Sequence, residues 1–152
     1  MDQNSSVDIR DLLATDAPAA GALTPDWSVD DYAAIAHGDF PDRFCLVHDV
    51  EKIDALLLAS VVPPDAEILN VYVRPDRRRC GIATGLLQAA LKRMQARGVR
   101  RVWLEVRESN VAALHIYEAA GFRVTGRRPE YYRGLGQKKE DALVLETTLT
   151  MC

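Results

Sequence analysis

A basic turn between two apolar segments is the part of this sequence best suited to bind an anion. Arg78 and Arg79 supply two positive charges just before Gly81, and an apolar segment with helical spacing starts at Ile82. If a helix begins there, its first backbone N–H groups have no partner within the helix and lie at the positive end of its dipole. Gly81 has no side chain, so a phosphate can approach the backbone closely. The turn therefore predicts a phosphate-binding loop, with a solvated turn as the alternative.

This turn differs from two common nucleotide-binding motifs. A Walker loop would require Gly-Lys-Ser/Thr after the turn, and that sequence does not follow Gly81. The three-glycine spacing of a dinucleotide fingerprint is also missing, since Ala83 is the next small residue. The local sequence thus indicates an anion site without defining its ligand.

The segments around the turn predict a strand before it and a helix after it. Ile68–Val73 is rich in β-branched residues and is followed by Pro75, which indicates a strand. From Ile82 the apolar residues recur at helical spacing, and Gly98 ends this helix. The elements predicted next are a strand over Arg101–Val106, a helix capped by Ser109 or Asn110 that runs through Ala119, and strands over Phe122–Thr125 and Ala142–Leu149.

The first half predicts short helices and an antiparallel meander. Its expected elements are a strand over Val7–Leu12, a short helix through Ala20, a helix over Val29–Ala36 capped by Ser28, and strands over Phe44–His48 and Ile53–Val62. Closely spaced strands favour antiparallel pairing, and the second half alternates strands with helices. We therefore predict the α/β (α+β) class, with a mixed, mostly antiparallel central sheet and helices on both faces.

Composition and charge limit the possible function classes. The chain has 152 residues, of which 48% are hydrophobic and 27% charged, which predicts one globular domain over residues 1–152. A net charge of −3 disfavours general nucleic-acid binding, while local arginine clusters suit a small anionic ligand. The cysteines match no metal motif or disulfide framework, and neither a signal peptide nor a membrane span is evident. We expect a cytoplasmic protein without a metal, a nucleic-acid partner or a membrane partner.

The sequence from Arg78 to Ala83, RRCGIA, resembles the Arg/Gln-x-x-Gly-x-Gly/Ala motif of the GNAT acetyltransferase superfamily. This resemblance implies a loop that holds the pyrophosphate of coenzyme A, preceded by a splayed strand that bonds the pantetheine arm and the acetyl group of acetyl-CoA. Ala83 stands where a second glycine is more usual, and Cys80 stands where relatives often have a basic residue. The residues assigned to the cofactor in this way are Val71, Tyr72, Val73, Arg78, Arg79, Cys80, Gly81, Ile82, Ala83, Thr84 and Asn110.

A second segment, Trp103–Phe122, resembles the RimI family, whose members acetylate the N-terminal alanine of the eighteenth small-subunit ribosomal protein. The resemblance extends to Tyr131-Tyr132 and to Glu140–Ala142. The segment Gly134–Lys139 differs from the family, and this difference bears on which peptide the enzyme accepts and leaves the cofactor unaffected. The resemblance implies direct transfer of an acetyl group from acetyl-CoA to the N-terminal α-amine of a protein, in a ternary complex.

The same resemblance implies acid–base roles for Glu105 and Tyr117. Glu105 would act as general base toward the acceptor amine, directly or through water, although strand edges also carry glutamates without any function. Tyr117 would donate a proton to the departing thiolate, since a phenol stays protonated at neutral pH; its alternative role is that of an aromatic at the edge of the core. Asn110 precedes Tyr117 by two helical turns, so both side chains face the same way.

Two other functions fit this sequence. One is acetylation of a small-molecule amine such as a polyamine, because the superfamily fold does not define the acceptor. The other is a non-catalytic acyl-CoA-binding or partner-binding module, against which the presence of both Glu105 and Tyr117 argues. Trp27, Tyr131 and Tyr132 fit either a peptide groove or core aromatics.

Overall fold

A seven-stranded sheet with helices on both faces forms the framework of the protein in a computed structural model that describes residues 8–24, 26–133 and 139–150. The strands are β1 (Ile9–Asp11), β2 (Arg43–Asp49), β3 (Ile53–Val62), β4 (Asp65–Val73), β5 (Arg101–Arg107), β6 (Arg123–Arg133) and β7 (Lys139–Thr148). The α-helices are α1 (Ala17–Leu23), α2 (Val29–His37), α3 (Ile82–Ala96) and α4 (Val111–Ala119), and short 3-10 turns cover Ala14–Asp16 and Pro75–Arg77.

The strand order is β1-β2-β3-β4-β5-β7-β6, and within the described part of the chain β4 and β5 form the one parallel pair. The predicted mixed, mostly antiparallel sheet is therefore confirmed, together with its meander from β2 to β4. That meander is tight because Pro63 and Pro64 alone connect β3 to β4, with Val62 paired to Asp65. As a result β4 begins at Asp65, three residues before its predicted start at Ile68.

Two apolar clusters cover the two faces of the sheet. On one face, α3 and α4 pack against alternate strand residues, including Leu57, Ile68 and Leu104. On the other face, α1 and α2 pack against Val47, Leu56 and Leu58. Tyr32 of α2 is fully buried in this cluster. Because strand side chains alternate between faces, residues next to Leu104 point toward the α1–α2 side.

β4 and β5 separate part of the way along their length. Their parallel pairing runs only from Asp65–Arg101 to Ile68–Leu104. Beyond Ile68, β4 stays paired with β3 alone, and a bulge at Leu69 shifts its register there. The edge of β4 from Val71 to Val73 therefore faces a gap in the sheet instead of a neighbouring strand.

The last hairpin is longer than the sequence pattern predicts. The predicted strand over Phe122–Thr125 is wrong in its bounds, because β6 runs from Arg123 to Arg133 and Phe122 is a buried residue just before it. Gly126 and Pro129 interrupt the strand pattern of the sequence. At the edge of a sheet both are tolerated, since β7 supplies partners on one side and register irregularities absorb the breaks.

Candidate active site

A cleft of about 690 Å³ lies where β4 separates from β5, between the start of α3 and one side of α4. This volume is within the usual range for small-molecule sites, which is roughly 300–1,000 Å³. The residues lining it are Val71, Tyr72, Val73, Arg77, Arg78, Arg79, Gly81, Ile82, Ala83, Thr84, Leu87, Asn110, Ala112, Ala113, Ile116 and Tyr117. One end is thus basic and rich in backbone N–H groups, and the other is apolar.

The loop into α3 exposes backbone N–H groups to the cleft. Arg79 and Gly81 adopt left-handed conformations, with φ of 66° and 78°, and turn the chain into the helix. The helical ladder starts where the Gly85 N–H donates to the Gly81 carbonyl at 3.0 Å. The N–H groups of Ile82–Thr84 precede that bond, and Gly81 cannot cap them because it has no side chain. A Cβ at Gly81 would meet no atom within 4 Å, so the space beside it is open to a ligand.

Arg78 is held at the end of β4 by two contacts. Its Nε donates to the Val73 carbonyl at 2.9 Å, and its guanidinium carbon lies 5.7 Å from the centre of the Tyr72 ring. The arginine, the strand end and the ring therefore form one wall of the basic end. Arg77 also lines this end, although the residues assigned from the motif did not include it. Its place in a run of three arginines was the feature of the sequence that could have identified it.

Cys80 differs from its neighbours in the loop. It is exposed, its thiol lies 3.6 Å from the Arg78 carbonyl, and it is not among the residues that line the cleft. The other ten residues assigned to the cofactor from the sequence all line the cleft. Leu87, Ala112, Ala113 and Ile116 complete the apolar end, and ordinary helix periodicity did not distinguish them from core residues.

Tyr117 and Asn110 reach the cleft from α4, as their spacing predicts. Asn110 caps the helix, since its Oδ1 accepts from the Ala113 N–H at 3.2 Å. Tyr117 is 9% exposed and packs edge-on against Phe122, with ring centroids 5.8 Å apart. The ring of Tyr117 is therefore part of the core while the residue also borders the cleft. His115, two positions earlier, is exposed and does not line it.

Glu105 lies outside the cleft, on the opposite face of the sheet. Its neighbours Leu104 and Val106 are buried beneath α3 and α4, so strand alternation directs Glu105 to the other side. It sits one residue beyond the last β4–β5 pair, beside the gap. Its carboxylate is largely buried and forms an ion pair with Arg128 of β6, with Nε and Oε2 2.9 Å apart.

A second carboxylate, that of Glu67 in β4, lies near Glu105. Burial raises the pKa of Glu67 above its ordinary value, the negative charge of Glu105 raises it further, and Arg128 opposes the shift. The α1–α2 side of the gap therefore carries two carboxylates and one guanidinium. Glu67 and Arg128 were not predicted, because their proximity to Glu105 depends on the pairing of distant strands.

The predicted aromatic groove is described only in part. Trp27 is half-buried against the α1–α2 cluster, and the Arg43 guanidinium carbon lies 5.6 Å from its ring centre. The side chains of Tyr131 and Tyr132 and most of the segment Gly134–Lys139 lie outside the described residues. Among the residues that are described, we find no group of three His, Cys, Asp or Glu side chains placed to hold a metal. The described helices are each too short or too polar to cross a membrane.

The sequence is similar to a family of known acetyltransferases and to individual members of it. The profile of the "Acetyltransferase (GNAT) family" matches residues 7–122. A [Ribosomal protein bS18]-alanine N-acetyltransferase of Escherichia coli is 33% identical over 148 residues, which is 94% of this chain and 98% of the relative.

Solved structures show the same similarity. The crystal structure of the ribosomal-protein-S18-alanine N-acetyltransferase from Escherichia coli superimposes with a TM-score of 0.82 at 31% identity, covering 95% of this chain and 94% of that one. Arabidopsis thaliana NAA60 in complex with acetyl-CoA shares the fold, with a TM-score of 0.81 at 18% identity over 93% of this chain and 97% of that one.

Proposed function

Because this chain belongs to the GNAT family of acetyltransferases and is an acetyl-CoA-dependent N-acetyltransferase, we propose that its acceptor is the N-terminal α-amine of a protein. The acceptor that we propose is the N-terminal alanine of ribosomal protein bS18, on which the relatives of similar length act according to their names. We also propose that the enzyme works in the cytoplasm and that residues 1–152 form one acetyltransferase domain.

The residues of the cleft fit acetyl-CoA. The basic end of the cleft suits the phosphates of acetyl-CoA, because it is formed by the N-terminus of α3 and by Arg77, Arg78 and Arg79. The open edge of β4 and the apolar side of α4 suit its uncharged pantetheine arm, because unpaired strand N–H and C=O groups can bond the amides of that arm. When bound, acetyl-CoA supplies an acetyl thioester.

The proposal depends chiefly on the gap between β4 and β5. The cleft opens on the α3–α4 side of this gap, and Glu105 lies beside it on the α1–α2 side. Two substrates entering from opposite faces could meet through the gap without competing for space. This arrangement supports direct transfer within a ternary complex, in which juxtaposition supplies much of the acceleration. The position of Cys80 outside the cleft lining agrees with a mechanism that uses no acyl-enzyme.

Each named residue has one role in this mechanism. Glu105 accepts a proton from the acceptor ammonium, directly or through one water, so that the neutral amine can attack the thioester carbon. Backbone N–H groups of Val71–Val73 donate hydrogen bonds to the thioester oxygen as negative charge develops there. The Tyr117 hydroxyl donates a proton to the sulfur as the carbon–sulfur bond breaks, and the remaining proton lost by the attacking nitrogen returns the phenol to its neutral form through solvent. Arg128 holds the Glu105 carboxylate in position through their ion pair.

An α-amine suits this machinery better than a lysine side chain does. The two amines have reference pKa values of about 8 and about 10.4, so a neutral lysine costs ~3.4 kcal/mol more at neutral pH. A single carboxylate is a modest base and is adequate for the more acidic α-ammonium. The proposed acceptor is therefore consistent with the base that is present.

The test compares acceptors that differ only in their amine. One peptide carries a free N-terminal alanine, a second has the same sequence with a blocked N-terminus and an internal lysine, and a polyamine serves as the small-molecule acceptor. We expect thiol release from acetyl-CoA with the first and little with the others. Efficient turnover of the blocked peptide or of the polyamine would overturn the proposed acceptor and favour the corresponding alternative.

A further inference from the structure

A buried ionisable pair lies under the basic end of the cleft. Within the described part of the chain, the buried polar side chains are Thr24, His48 and Asp54. His48 Nδ1 lies 2.7 Å from Asp54 Oδ1, and both side chains are at most 5% exposed. Since a carboxylate only accepts, Nδ1 carries the proton and donates. The proposed acetyl transfer uses neither residue, so the pair needs a separate explanation.

Asp54 connects this pair to the phosphate loop. Its backbone carbonyl accepts from the Arg74 N–H at 2.8 Å, and its Oδ2 accepts from Arg77 Nε at 2.9 Å. Asp54 is also the extra residue of a β-bulge, because His48 pairs with Ala55 and Asp49 pairs with Ile53. A bulge redirects the side chain of its extra residue, which here reaches the loop instead of the core.

We propose that Arg77 binds a phosphate group of acetyl-CoA, and that Asp54, supported by His48, is the positioning residue that orients its guanidinium. Arg77 lines the cleft and its side chain is 40% exposed. Among the described residues Arg77 is bonded to Asp54 through Nε, so its two terminal nitrogens are in a position to bind a ligand. A guanidinium can bind a carboxylate through one edge and present another edge to a phosphate.

The pair reduces the conformational cost of binding. A free arginine side chain loses much rotamer freedom when it is immobilised, whereas one already bonded to a buried carboxylate loses less on binding. Asp54 itself cannot move far, because His48 and the backbone of β3 hold it. The inference rests on the acetyl-CoA dependence of the enzyme and not on the identity of its acceptor.

The first experiment measures the binding of CoA itself, by calorimetry and without any acceptor. Arg77→Ala should raise the Kd for CoA by about tenfold or more, the scale of a charge-assisted hydrogen bond. The matched control is Arg74→Ala, which removes the same charge from the same loop. Arg74 pairs with Asp76 at 2.5 Å and does not line the cleft, so its variant should bind CoA within about threefold of the wild type.

A second set of measurements identifies which phosphate Arg77 contacts. Dephospho-CoA lacks the 3′-phosphate and keeps the pyrophosphate. If Arg77 binds the 3′-phosphate, its substitution should not weaken dephospho-CoA further. If Arg77 binds the pyrophosphate, the loss should be equal for both ligands. Equal CoA affinities for Arg77→Ala and Arg74→Ala would refute the phosphate contact.

The role of Asp54 is tested by a double-mutant cycle. Asp54→Asn should weaken CoA binding by about threefold or more and leave the KM for the acceptor peptide unchanged. If Asp54 acts through Arg77, the double variant should bind CoA no worse than Arg77→Ala alone. Additive losses, or a parallel rise in the peptide KM, would show that Asp54 only supports the fold. The wild type must bind CoA in this assay, so a failure of the cofactor assignment would be seen separately.

Discussion

Single side chains carry the proposed chemistry, and each of them also has a structural environment that a substitution must respect. Tyr117 packs its ring against Phe122 in the core, and Glu105 is paired with Arg128. Substitutions that keep the shape of the side chain and change only its functional group therefore test the proposed roles. Truncation to alanine would mix catalytic and packing effects.

Removal of the Tyr117 hydroxyl tests its proposed role as the proton donor to the departing thiolate. Tyr117→Phe keeps the edge-on contact with Phe122, so the melting temperature should change little. If the hydroxyl protonates the departing thiolate, kcat should fall by ~10²-fold or more. The matched control is Tyr32→Phe, because the Tyr32 hydroxyl bonds Thr24 in the α1–α2 cluster. That variant should lose stability and keep kcat; a normal kcat in Tyr117→Phe would leave the ring with a structural role only.

Glu105→Gln tests base catalysis through its pH dependence. The variant should lose most kcat/KM at low pH, where the α-amine is protonated and its proton must be removed. Near pH 9 part of the loss should be recovered, since the solvent has already deprotonated the amine. The control Glu146→Gln changes a carboxylate on β7 that pairs with Arg101, and its pH profile should match that of the wild type. A Glu105→Gln defect of constant size from pH 6.5 to 9 would indicate positioning instead of base catalysis.

At the scale of elements, the loop at the start of α3 is the proposed site for the phosphates of acetyl-CoA. Gly81→Val should raise the KM for acetyl-CoA far more than the KM for peptide. A Cβ at Gly81 meets no protein atom within 4 Å, so the expected effects are backbone strain at φ 78° and obstruction of the ligand. The measurements are the affinity for acetyl-CoA and the two KM values, for acetyl-CoA and for peptide.

Gly98 provides a control that separates these two effects. It lies just beyond the other end of α3, with φ of 85° and no atom within 4 Å of an added Cβ. Gly98→Val therefore introduces similar strain away from the cleft, and should lower the melting temperature with little change in the KM for acetyl-CoA. Similar KM values for the two variants would contradict the assignment of the Gly81 loop.

At the scale of the whole molecule, an ion-pair network attaches the N-terminal segment to the sheet. Arg10 of β1 pairs with Asp16 at 2.7 Å and with Asp49 of β2 at 2.8 Å. The Arg10 guanidinium lowers the pKa of Asp16 below 3.8, and the Leu13 N–H adds to the shift. A lowered carboxyl pKa in the folded state stabilises the fold above the unfolded pKa. This contribution is lost as the pH falls through the folded pKa.

The prediction that follows concerns acid stability. Asp16→Asn should lower the free energy of unfolding at pH 7 by about 1 kcal/mol, and the difference should shrink below about pH 4. Urea unfolding at pH 7 and pH 3 measures both values. Asp39→Asn, at an exposed carboxylate after α2, should change stability little at either pH. A difference for Asp16→Asn that is unchanged at pH 3 would mean that ionisation of Asp16 is not its source.

Local patterns in the sequence predicted those features whose causes are local. The bounds of β3 and the start of α3 at Ile82 were predicted correctly, because apolar periodicity, prolines and capping residues act over a few positions. Of the two caps predicted for α4, Ser109 or Asn110, the structure has Asn110. The loop from Arg78 to Thr84 was likewise placed correctly at the start of α3, because its charge and glycine lie within one short segment, while its phosphate-binding role stays a prediction.

Features that depend on strand pairing were not predictable in this way. The separation of β4 from β5 follows from where a parallel ladder stops, and the placement of Glu105 opposite the cleft follows from sheet register. The Asp54–Arg77 bond joins residues 23 positions apart through a bulge in β3. Register and bulges are set by packing of the whole sheet, since shifting a strand by one residue exchanges its two faces. Only the assembled sheet therefore brings these charges to the cleft and the gap.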